Sequence, residues 1–204
     1  MASKRRKAAK PAVGGGDLFA AALEEIAAMG WRETTVAAVA ARAGVSAGQA
    51  AVWAPTKAHL AGRIAQGIDG VAFAKVGAPD KTVSARDRLF EVLMRRFDAL
   101  QAHREAIRAL AKGAMRDPAA AAALSLRLSC SMASSLAAAG ISAAGPLGCA
   151  RTLGLKAVYL SALRQWLRDD SADMSKTMAA LDKALNLAER IASLSIRRGK
   201  KSDK

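Results

Sequence analysis

The stretch from Thr34 to Leu60, TTVAAVAARAGVSAGQAAVWAPTKAHL, constrains the fold more than any other part of the chain. Thr34 or Thr35 can cap a helix, because a hydroxyl accepts from the unpaired N–H groups of the opening turn. Val36, Val39, Ala40 and Ala43 then recur at helical spacing. Gly44 stops that helix, since glycine enters the left-handed conformation without a Cβ penalty, and Val45 is the apolar plug of the turn. Ser46 caps a second helix, Ala47 to about Trp53. Pro55 ends it, and Thr56 caps a third that begins at Lys57. Two short helices set at a steep angle by a glycine-containing turn make a helix-turn-helix, whose second helix can enter a DNA major groove.

These residues resemble the N-terminal domain of the TetR family of transcriptional regulators. The resemblance rests on Gly30, Thr34-Thr35-Val36, Ala40, the run Ala43-Gly44-Val45-Ser46 with Gly48, Trp53, and Pro55-Thr56-Lys57 with Leu60. It covers about the first quarter of the chain. The departures are Ala50 and Ala51, where the family has a large apolar residue and a phosphate-touching tyrosine, and Ala54, where it has a second aromatic. The resemblance implies a homodimer with a DNA-reading head and a helical body that lines a small-molecule cavity.

The chain has 204 residues, enough to bury a sizeable core in one or two domains. It is 52% hydrophobic, largely alanine, and only 4% aromatic. Alanine is the strongest helix former and β-branched runs are scarce, so an all-α protein is expected. The longest uncharged stretch, Leu128 to Ala150, is broken by serines, glycines and Pro146, too polar to span a bilayer. No apolar run follows the N-terminal bases, so no signal peptide is visible and a soluble cytoplasmic protein is expected. Cys130 and Cys149 lack metal-ligand spacing and are expected as reduced, partly buried thiols.

The formal charge is +15. Residues 1–16 contribute Lys4, Arg5, Arg6, Lys7 and Lys10, and residues 197–204 contribute five bases against Asp203. Both ends are expected to be disordered basic tails, and such tails attract polyanions by counterion release. Nucleic acid is the expected partner; an anionic membrane surface would be attracted by the same charge.

Read in order, the chain divides into a basic arm at 1–16, a helix-turn-helix domain at 17–60, a helical ligand-binding and dimerisation domain at 61–196 and a basic tail at 197–204. Asp17 is expected to cap the first helix, which Gly30 ends, and Trp31 to pack against the head's core. The helix from Lys57 reaches about Gly70 or Ala74. Ser84 caps a helix striped by Leu89, Val92, Leu93, Arg96, Phe97 and Leu100. Another runs from Glu105 to Met115, and Asp117-Pro118 starts a long one to about Ala139. The next continues through Arg168, with Leu153, Ala157, Leu160, Leu163 and Leu167 on one face and Tyr159 and Trp166 on another. Ser171 or Asp173 caps the last, through about Ile196, striped by Met174, Met178, Leu181, Leu185, Ala188, Ile191 and Leu194. The last two helices have excess apolar surface and are expected to form a four-helix interface between two copies.

No nucleophile–base pair, paired carboxylates or phosphate loop stands out, and His59 and His103 lie far apart, so neither an enzyme, a metal nor a cofactor is expected. Candidate DNA contacts are Thr35, Arg42, Ser46, Ala47, Gln49, Trp53 and Lys57, with Gln49 reading adenine and the alanines touching thymine methyls. Candidate ligand contacts are Leu93, Phe97, Met115, Leu128, Met132, Tyr159 and Leu163, around a small apolar ligand. A second resemblance runs through Ala157-Val158-Tyr159, Trp166 to Ser171, and Leu181-Asp182. It is similar to the lipid-binding ubiquinone-biosynthesis proteins that share the TetR fold. That resemblance implies the alternative, a lipid- or isoprenoid-binding protein without sequence-specific DNA binding.

Overall fold

The computed structural model describes the backbone of residues 15–202 apart from Lys75, and side chains within 17–192. Of the arm expected at 1–16, residues 1–14 lie outside the described residues, as do the last two of the chain, while Gly15 and Gly16 open the first helix. The described chain is entirely helical: α1 Gly15–Glu33, α2 Val36–Ala43, α3 Ala47–Trp53, α4 Lys57–Phe73, α5 Ala85–Gln101, α6 Arg104–Ala114, α7 Pro118–Ala138, α8 Gly145–Trp166 and α9 Ser175–Ser202.

The head is α1 to α3 with the start of α4. At Gly30 (φ 77°) α1 breaks, and the residues from Trp31 to Glu33 carry the chain round the corner. Thr35, not Thr34, caps α2 by accepting from the Ala38 N–H. Thr34 is buried, and its hydroxyl donates to the Gly30 carbonyl at 2.8 Å. Gly44 closes α2 in the left-handed region (φ 66°), Ser46 caps α3 and Thr56 caps α4. Leu18, Ala22 and Ile26 of α1 join Val39, Ala40, Ala50, Ala54 and Leu60 in the head's core.

That core continues without interruption into the body. The division expected at residues 60 and 61 falls inside α4, whose Leu60 and Ile64 are both fully buried. In the body, α4 packs on α5 and α7, α8 packs on α7 and α9, and α5 also meets α9. All six stripe residues expected on α5, Leu89 to Leu100, are buried, Arg96 included. Among the described residues α7 alone is long and apolar enough to cross a membrane; here it packs against α4 and α8.

The structure sharpens or corrects several of these expectations. The α8 face turned to the core is Leu155, Val158, Tyr159, Ala162 and Trp166, whereas Leu153 is 64% exposed and Ala157 also faces outward. This helix is apolar nearly all round, so periodicity could not separate its core side from its second side. On α9, Met174, Leu181 and Leu185 are buried, but Met178 and Ile191 are exposed; the side chain of Leu194 lies outside the described residues. The helix also runs on to Ser202, so most of the expected C-terminal tail is helical. Both cysteines are exposed rather than partly buried.

Candidate nucleic-acid interface and ligand cavity

The sequence AGQAAVW of α3 has no charged residue. Ala50 faces the core, while Ala47, Gly48, Gln49, Ala51 and Val52 (83% exposed) form the outward face. The capping box explains why so short a helix holds. Ser46 Oγ accepts from the Gln49 N–H at 3.2 Å, and Gln49 Oε1 accepts from the Ser46 N–H at 3.0 Å. Gln49, the residue expected to read adenine, therefore uses its carbonyl oxygen to close the cap. Bidentate recognition of adenine needs both ends of the amide, so the unbound head leaves only the donor end. The Ser-x-x-Gln spacing carries this signal in the sequence.

The expected phosphate-binding cations are also engaged within the protein. Arg42 Nε donates to Glu25 Oε2 at 2.7 Å. Lys57 Nζ donates to the Arg32 carbonyl at 2.7 Å and lies 4.9 Å from the centre of the Trp31 ring. Thr35 spends its hydroxyl oxygen on the α2 cap, and Trp53 is half-buried, its carbonyl accepting from Arg63 Nε at 2.7 Å. Within residues 17–60, Arg32, Arg42 and Lys57 face Asp17, Glu24, Glu25 and Glu33, so the head carries a net charge of −1. The strongly basic balance of the chain lies elsewhere.

Beneath the head, α4 to α8 surround a cavity of about 320 Å³. Its wall is aliphatic: Ile64 and Ile68 from α4, Leu100 from α5, Ile107 and Leu110 from α6, Leu124 and Leu128 from α7, Leu160 and Leu163 from α8. Of the residues expected around a ligand, Met115, Leu128, Tyr159 and Leu163 line it. Leu93, Phe97 and Met132 do not; each is fully buried behind the wall, with Phe97 stacked on Tyr159 at 5.1 Å between ring centres. They lie on the buried side of their helices, so helical periodicity selected them without separating wall from core.

Sequence reasoning did not anticipate the polar groups at this cavity. Arg96, 5% exposed, contributes to the wall, pairs with Asp69 and lies 5.2 Å from the Tyr159 ring centre. Asp69 also accepts from the Ser131 hydroxyl at 2.7 Å and has Arg127 at 3.9 Å. Lys156 lines the cavity too, donating to the Ser125 carbonyl at 2.9 Å and to the Ser129 hydroxyl at 3.0 Å.

Two routes join cavity and head. Helix α4 supplies Leu60 to the head's core and Ile64 and Ile68 to the cavity wall. The second is Trp31, expected within the head but placed at the joint with the body. It is 2% exposed, and its indole Nε1 donates to Asp117 Oδ2 at 3.1 Å. Asp117 Oδ1 accepts from the Ala120 N–H at 3.0 Å and so caps α7. These bonds, the Ala120 N–H first and the indole second, hold the Asp117 carboxyl below the usual carboxylate range. Gly113 of α6 lets the indole approach: a Cβ there would lie 2.5 Å from Trp31 Cβ.

Apart from Leu160 at the cavity, α8 and α9 leave Leu153, Met178, Leu187 and Ile191 exposed. These are large apolar side chains left exposed on two adjacent helices. No group of metal-ligating side chains occurs among the described residues.

No family model matches the sequence, and no curated protein matches it. Solved structures do match the fold. The TetR transcriptional regulator from Nitrosomonas europaea superposes with a TM-score of 0.68 at 20% identity, over 86% of this chain and 97% of that one. A TetR transcriptional regulator from Rhodococcus sp. RHA1 gives 0.63 at 21% identity, over 85% and 93%. The transcriptional regulator FadR from Bacillus subtilis, solved in complex with stearoyl-CoA, gives 0.53 at 16% identity, over 86% and 97%. The helix-turn-helix head on a helical body therefore has the fold of the TetR-family transcriptional regulators.

Proposed function

We propose that the protein is a cytoplasmic, homodimeric DNA-binding transcriptional regulator of the TetR type, without enzymatic activity, tuned by a small apolar ligand. The head at 17–60 binds one half-site, and the body at 61–196 holds the ligand and the partner subunit. The carrying observation is the junction just described: one helix, α4, belongs to both the head's core and the cavity wall. A ligand that bulges the wall shifts α4, and through Trp31 the α6–α7 corner, so the spacing of two heads in a dimer changes and they cease to match both half-sites. The exposed face of α8 and α9 is where a second copy docks.

Ser46 and Ala47, with Thr35 and Trp53, sit where the helix-turn-helix meets DNA, and the Gln49 amide donor and the alanine methyls read bases weakly. Arg42 and Lys57 would exchange their internal partners for phosphates. With a head of net charge −1, most of the attraction comes from the five bases in residues 1–16. Each neutralised phosphate contributes roughly −0.9 to the slope of log affinity against log salt, so two arms give a steep dependence. Fluorescence anisotropy on a genomic fragment pool tests this. Affinity should fall at least tenfold between low and physiological salt; a flat response sinks the proposal.

The bare face of α3 favours one rival, a lipid- or isoprenoid-binding protein whose head no longer reads DNA and whose basic ends meet an anionic membrane. A co-purified isoprenoid in native mass spectrometry, with no retardation of any duplex, would establish the rival instead.

A further inference from the structure

The cavity is apolar along its walls, yet it carries charge of one sign. Arg96 and Lys156 are its charged lining residues, and no carboxylate lines it. The partner of Arg96 is Asp69, which Arg127 also approaches, so two guanidiniums stand around one carboxylate. Arg127, about a third exposed, brings a second positive charge to that carboxylate, and Lys156 adds another at the wall. Arg96 Nε and Arg127 Nε are both buried without a hydrogen-bond partner. A buried guanidinium with an unused donor is costly unless an anion completes it. Lys156 rests on the Ser125 carbonyl and on serine hydroxyls, neutral acceptors that an anion would outcompete.

Resting on the cavity reading above, we propose that the ligand is an apolar monocarboxylate, its head group between Arg96 and Lys156 and its tail along Ile64, Leu110 and Leu128. A neutral apolar molecule leaves the excess charge uncompensated, and an amine meets two cations. The volume of about 320 Å³, set against the roughly 30 Å³ that a water-sized group occupies, admits on the order of a dozen non-hydrogen atoms. A medium-chain fatty carboxylate has that size.

The test is titration calorimetry of the full chain at neutral pH with decanoate, decan-1-ol and decylamine, each below its aggregation limit. Decanoate should bind at least tenfold more tightly than decanol, and decylamine should give no heat. Lys156→Met should reduce decanoate affinity about tenfold and leave decanol unchanged. Arg96→Met combined with Asp69→Asn, which avoids stranding a buried carboxylate, should abolish the preference. Should the double variant not fold, Lys156→Met decides alone. Decanol binding as tightly as decanoate overturns the carboxylate assignment and leaves the apolar-ligand reading standing. Binding of none of the three overturns both. A decanoate preference that survives in Lys156→Met and in the folded double variant places the head group elsewhere and overturns the assignment.

Discussion

Asp117 is the residue at which head, cavity wall and stability can be separated by measurement. Its two carboxylate oxygens do different work: Oδ1 caps α7 through the Ala120 N–H, and Oδ2 holds the Trp31 indole at the joint. Replacing an Asp cap by alanine costs about 1 kcal/mol. Removing a charged acceptor from a buried donor costs roughly 1.5–3 kcal/mol, because the indole N–H loses its partner without regaining water. Asp117→Ala should therefore destabilise by about 3 kcal/mol. For a chain of this size that lowers the melting temperature by roughly 6–12 °C. Asp117→Asn has one amide oxygen, able to serve the cap or the indole but not both, and should cost about half as much. Thermal melts followed by circular dichroism at neutral pH read both values. Because the folded Asp117 carboxyl titrates below its unfolded value, its contribution is complete above about pH 4 and fades as pH falls below it. The difference between wild type and Asp117→Ala should shrink accordingly in acid. Equal melting temperatures for Asn and Ala, or an Ala variant within 1 °C (about 0.3 kcal/mol) of wild type, would refute the two-bond account.

Three further outcomes follow. Gly113→Ala gains about 1 kcal/mol of helix propensity but drives a Cβ into Trp31; overpacking of about 1–3 kcal/mol should win, with net destabilisation in urea unfolding and a red-shifted tryptophan emission. Asp169 is fully buried; burial raises its carboxyl, but bonds from Ser171 and Thr177 outweigh that and hold it well below the usual range. Stability should thus decline as pH falls below about 4, and Asp169→Asn should flatten that limb of the urea-midpoint profile. Leu153→Glu with Leu187→Glu places charge on the outward face of α8 and α9, and sedimentation should show a folded monomer; an unchanged dimer moves the interface elsewhere.

Most helix caps were legible from local chemistry alone, although Asp17, expected to cap the first helix, lies inside α1, which begins at Gly15. Thr35, Ser46, Thr56, Ser84 and Asp117 all cap the helices that their positions imply, because a cap is a relation between a residue and its own next turn. The α5 stripe was legible for the same reason, its polar and apolar residues alternating at one period. The face of α8 was not, since leucines and alanines lie on most of its sides and a partner surface is indistinguishable from a core surface in one sequence. For the candidate ligand contacts, the inward side of a helix was legible but the depth was not. Periodicity places Leu128, Tyr159 and Leu163 toward the interior, but the depth of Leu93, Phe97 and Met132 depends on packing between helices. The pairs Trp31–Asp117, Arg42–Glu25 and Arg96–Asp69 join residues far apart in the chain, and no local spacing announces them.

The most direct test of the account is selection of bound duplexes from a random pool, run with the full chain and with residues 17–204. The full chain should enrich an inverted repeat whose half-sites match a two-fold dimer. The shortened chain should keep the same preference at much lower affinity and with a shallower salt dependence, since the five bases of the arm are gone. No enrichment by the full chain, or equal affinity and salt dependence with and without the arm, would contradict it.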